Sequence, residues 1–90
     1  MPAQREAKLN NPPMGRLDAV DVGAKKLTVQ TEVFPNPWRI ETKIYLGGAL
    51  KKVYTEDLSQ TAEDEMQKRI NEFHQTKLEE IVAGLRRLSQ

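Results

Sequence analysis

The chain has no cysteine and a single histidine among its 90 residues. Disulfide staples, thiolate metal centres and multi-histidine metal sites are therefore excluded. No apolar run approaches the roughly 20 residues needed to span a bilayer, and the N-terminus has no apolar block of the signal-peptide kind, so no membrane partner and a cytoplasmic location are expected. An excess of one charge is missing too. With 14 basic and 13 acidic residues the net charge is +1, without the strong basic bias of a dedicated nucleic-acid binder. A chain this short has a marginal core by itself, and small domains commonly gain stability from partners.

Recognisable chemistry is also scarce. Glu63-Asp64-Glu65 and Glu79-Glu80 are adjacent carboxylates that do not face one another on a helix, and the triplet lacks the spaced ligands and loop glycine of an EF-hand. Gly47-Gly48 joins two strand-like runs and lacks the Lys-Ser/Thr pair of a phosphate loop. His74 is the one side chain that titrates near neutral pH when unperturbed. It falls on an apolar stripe, where a partly buried, hydrogen-bonded histidine, or one at the stripe's edge, is the expected reading. No enzyme, cofactor or small-molecule substrate is indicated.

What the chain does contain is patterning. In Trp38–Tyr54 two alternating runs meet at Gly47-Gly48, which reads as a β-hairpin. Of its two competing registers, a three-residue loop with Gly48 left-handed is expected, placing Ile44 opposite Leu50 and both on the core face with Ile40 and Tyr54. Upstream, Leu27, Val29, Thr31 and Val33 alternate with polar residues, and Pro35-Asn36-Pro37 then breaks the run. The expected strands are Leu27–Phe34, Trp38–Leu46 and Ala49–Thr55. Thr61 with Asp64 resembles a capping box, and Met66, Ile70, Phe73, His74, Leu78, Ile81, Leu85 and Leu88 make one stripe at helical spacing, with Lys77 as an intruder and Gly84 as a point of early fraying. Leu9, Met14, Leu17, Val20 and Val22 follow neither period for long. The fold class expected is α+β: residues 1–26 as a disordered arm, residues 27–90 as a three-stranded antiparallel meander followed by one long C-terminal amphipathic helix.

Function is legible only in outline. A helix from Thr61 to Leu88 would be about 42 Å long against about 30 Å for a nine-residue strand, so Leu78, Ile81, Val82, Leu85 and Leu88 are expected to leave apolar surface for a protein interface. A small non-enzymatic protein-interaction module follows, either a homodimer or a partner for another protein's helix. The alternative is a nucleic-acid-binding accessory protein using a basic, aromatic sheet face with Arg39, Lys43, Lys51 and Lys52. Trp38 is expected to pack in the core rather than stand out as an anchor.

Overall fold

The computed structural model describes residues 13–88. They form an α+β fold in the order β1 (Arg16–Val22), β2 (Lys25–Phe34), β3 (Arg39–Leu46), β4 (Ala49–Asp57) and α1 (Met66–Leu88), with a single 3-10 turn at Glu63–Glu65 before the helix. The strands make one antiparallel sheet in sequence order, and α1 lies across one face, closest to β1 and β2. The expected meander and long helix are present, with one strand more than the three anticipated. That strand, β1, comes from the stretch read as an arm; residues 1–12 of the arm lie outside the described residues.

β1 escapes a pattern search because its faces are mixed. Val20 and Val22 turn toward the helix together with Arg16 and Asp18, whereas Leu17 turns to the open face. Gly23, at φ 63°, makes the turn into β2. Gly15, just before β1, lies so close to β2 that a Cβ there would overlap the Thr31 carbonyl oxygen.

The β2–β3 pairing sets the core. Leu27 lies opposite Leu46, Val29 opposite Ile44, Thr31 opposite Thr42 and Val33 opposite Ile40, all toward α1. Two apolar clusters result. One is built on Leu27, Val29 and Ile44; the other, on Ile40, Leu58 and Ile70, takes in Trp38 as the sequence anticipated. Each fully buried aliphatic side chain contributes roughly 1.5–3 kcal/mol. Leu58, read from sequence as part of a polar connection, is fully buried, and its N–H donates to the Trp38 carbonyl at 2.8 Å.

The β3–β4 hairpin departs from the expected register. Gly47 (φ 61°) and Gly48 (φ 86°) both have the left-handed backbone of a two-residue turn, and Leu46 pairs with Ala49. A β-bulge follows: Tyr45 pairs with Leu50 but Ile44 pairs with Lys52, leaving Lys51 as the extra residue. Leu50 is therefore on the open face, 52% exposed, and not opposite Ile44. Beyond the bulge Tyr54 does face the helix, opposite Thr42.

The helix begins later than the sequence signals. Ala62, not Thr61, occupies the cap position and makes no side-chain cap bond. Glu63, Asp64 and Glu65 instead fill the leading 3-10 turn, and Arg86 and Arg87 the last turn of α1, as the helix dipole favours. Gly84 does not end α1, which continues to Leu88. At 23 residues α1 spans about 34 Å, close to the roughly 33 Å of the ten-residue β2. The expected overhang largely disappears.

The two glycines give opposite outcomes on substitution. Gly84→Ala meets nothing nearer than the Arg87 guanidinium at 3.9 Å and should raise stability by about 0.5–1 kcal/mol. Gly15→Ala should lower it by about 1–3 kcal/mol by forcing β1 off β2. Urea unfolding followed by circular dichroism measures both.

Candidate functional site

Chemistry-bearing side chains converge in one place, between the two apolar clusters. Thr42 Oγ1 and Thr31 Oγ1 are 2.7 Å apart, Thr31 Oγ1 is 2.7 Å from His74 Nδ1, and His74 Nε2 is 2.7 Å from Asp18 Oδ2. The chain of bonds crosses β3, β2, α1 and β1. Thr31 and Thr42 are cross-strand partners, and Asp18 sits on the neighbouring strand opposite Val29. His74 is wholly buried, deeper than the partly buried or stripe-edge position expected, and hydrogen-bonded as expected. Because a carboxylate only accepts, the Nε2 proton points to Asp18; in the neutral ring Nδ1 then accepts from the Thr31 hydroxyl, which accepts from Thr42.

A hydroxyl, an imidazole and a carboxylate in sequence resemble nucleophile machinery, but access is missing. Thr31 is buried under the helix, and none of the surface grooves described here is lined by Thr31 or His74. No reacting atom could approach the hydroxyl as hydrolytic chemistry requires. Among the described residues there is also no group of acidic or imidazole side chains arranged to hold a metal ion. The relay instead belongs to a ladder that docks α1 beside β1. Gln67 bonds both the N–H (2.8 Å) and the carbonyl (3.1 Å) of Met14, and Asn71 Oδ1 accepts from Arg16 at 3.1 Å. Two residues along a strand advance about 6.6 Å and three or four along a helix about 4.5–6 Å, so 14, 16 and 18 meet 67, 71 and 74 in step.

The anticipated surface residues are placed as follows. Arg39 and Lys43 stand on the open sheet face, in ion pairs with Glu41 at 3.7 Å and Glu32 at 3.4 Å. Lys51 is at the bulge, and Lys52 lies on the helix side, its ammonium 5.5 Å from the Tyr54 ring centre. The four are not brought together. Leu78, Ile81, Val82 and Leu85 are half-buried against the Leu27 cluster of their own sheet, whereas Leu88 is 83% exposed. Around them run open apolar grooves: one of about 210 Å³ bounded by Val22, Leu46, Leu85 and Leu88, another of about 380 Å³ bounded by Val20, Leu78, Val82 and Ala83. Lys77, the intruder in the stripe, lies 4.5 Å from the Tyr54 ring centre and 5.3 Å from that of Phe73, a cation–π site invisible to periodicity.

Where β4 ends, Asp57 accepts from the backbone N–H of Ser59 at 2.8 Å and from its hydroxyl at 3.0 Å, a local turn that sequence reading missed. The backbone bond first and the hydroxyl second hold the carboxyl below its ordinary 3.8. Its stabilising effect is present above the unfolded-state value and lost as pH falls through the folded one. An NMR acid titration should place the Asp57 midpoint below 3.8, and Ser59→Ala should move it part of the way back up. For the relay, Thr31→Val should cost about 1–3 kcal/mol by stranding His74 Nδ1 and the Thr42 hydroxyl, while replacing all three groups together (T31V, T42V, H74L) should cost less than the single changes summed. Chemical denaturation of the series measures that coupling.

Comparison of the chain with protein-family models, with characterised proteins and with solved structures finds no match.

Proposed function

We propose that this chain is a small non-enzymatic protein-interaction module that self-associates. The observation supporting it is the apolar surface left open around the second half of α1, where Leu85 and Leu88 border one groove with Val22 and Leu46 and a second one with Ile81. Exposed apolar surface of this kind is what interfaces use, and grooves beside a helix suit the apolar face of another helix. The burial of Thr31 and His74, with Asp18 alone of the three reaching solvent, favours a structural role for those residues over catalysis. Nucleic-acid binding through the sheet is the weaker reading, because Arg39 and Lys43 already pair with Glu41 and Glu32 and Lys52 is on the opposite side from both.

Sedimentation equilibrium from micromolar to submillimolar concentration should give a mass above that of the monomer. Leu85→Glu with Leu88→Glu should abolish capture of any helix docking in the grooves, with little loss of fold stability at the exposed Leu88. A monomeric mass at every concentration would remove self-association from the proposal, and salt-dependent retention on single-stranded DNA would favour the nucleic-acid reading.

A further inference from the structure

Among the described residues β4 is an uncovered edge of the sheet, and it is the most exposed of the four strands, with only Tyr54 and Glu56 even half-buried. Its charges are segregated: Lys51 and Lys52 near one end, Glu56 and Asp57 at the other. We propose that two copies of this chain pair antiparallel through β4, about a two-fold axis passing beside Tyr54. The inference rests on the proposed self-association and moves its contact from the α1 grooves to the β4 edge.

The charge order selects that arrangement. In an antiparallel self-pairing centred on Tyr54, Lys51 meets Asp57 of the second copy, Lys52 meets Glu56, Val53 meets Thr55, and every pair recurs across the axis. The Lys52–Glu56 pair shares one face, since these residues lie opposite Ile44 and Ile40 on the helix side, and Lys51 is the bulged residue beside it. Parallel pairing would set lysine against lysine and acid against acid. Lysines on an edge strand ordinarily deter other strands; here each has an acid at its mirror position, so the same charges that repel foreign edges accept this one. The other edge has no such symmetry, since in β1 Asp18 and Asp21 have only Arg16 to oppose them. β1 against β4 would be head-to-tail and would not close.

Existing contacts prepare the acids. Arg69 of α1 pairs with Glu56, and the Ser59 turn fixes Asp57, while Lys51 has no carboxylate partner among the described residues. Val53, 44% exposed, gains a cross-strand neighbour. Because the two-fold is perpendicular to the sheet, the product is one eight-stranded sheet with both helices on the same face. The grooves around Leu85 and Leu88 then lie at its two ends, open to a helix of another protein.

Charge reversal tests the pairing. In sedimentation equilibrium, K51E/K52E and E56K/D57K should each dimerise about tenfold more weakly or worse than the native chain, and an equimolar mixture should recover a dimer, because each reversed strand then meets its complement. Native-chain hydrogen exchange is the second measurement, independent of whether E56K/D57K folds: the amides of residues 51–57 that point away from β3 should become protected as concentration rises. A native dimer that K51E/K52E leaves intact but L85E/L88E dissociates would overturn the β4 pairing while keeping self-association. A native chain that stays monomeric, with those amides unprotected throughout, would overturn both.

Discussion

Burial of His74 in the helix–sheet interface is the constraint on which the rest of the structure depends. A polar ring buried between the two apolar clusters would cost several kcal/mol without hydrogen bonds, so both nitrogens need partners at hydrogen-bonding distance. Thr31 and Asp18 supply them, and Thr42 completes the Thr31 hydroxyl. The requirement ties α1 to three strands at once. A helix that slid by one turn would strand the ring and both hydroxyls, whereas two purely apolar surfaces would tolerate such a slip far better. The relay accordingly specifies the docking of α1, and the Gln67 and Asn71 contacts with Met14 and Arg16 extend the same register along β1.

The second constraint is the bulge between Ile44 and Tyr45. A two-residue glycine turn without it would have placed Lys51 opposite Ile44 on the helix side. The two-residue turn already sets Leu50 opposite Tyr45 on the open face, and the extra residue rotates the remainder of β4 so that Tyr54 enters beside Thr42. The lysine on the helix side is Lys52 instead, at the margin of the sheet where α1 gives little cover. Tyr54 then offers its ring to Lys77 and Lys52, which lets two ammonium groups sit beside apolar surface while keeping contact with solvent.

These two features also arrange the surface. With one helix lying over β1 and β2, the open sheet face, the β4 edge and the flanks of α1 are left to solvent. The open face carries ion-paired charges of both signs, the α1 flanks are apolar, and the β4 edge is charged in an order that is its own complement. The proposed interaction module would use the last two of these surfaces, the β4 edge for a second copy and the α1 flanks for a helix.

Local pattern determined the elements whose side chains answer to one neighbour. The alternation of Leu27, Val29, Thr31 and Val33 is a strand in any context with one buried face, and the stripe from Met66 to Leu88 is a helix for the same reason. The hydrogen bonding of His74 was legible because a lone histidine on an apolar stripe needs partners, although the sequence did not name them. Tertiary structure decided what depended on distant pairing. β1 was illegible because Asp18 faces inward only to meet a histidine 56 positions away, which breaks the alternation that would have revealed the strand. The β4 register was illegible because the expected loop and the observed turn with its bulge both bring Tyr54 inward and differ in whether Leu50 joins it. Helix cover settles that, since α1 reaches Tyr54 through Lys77 and leaves Leu50 outside.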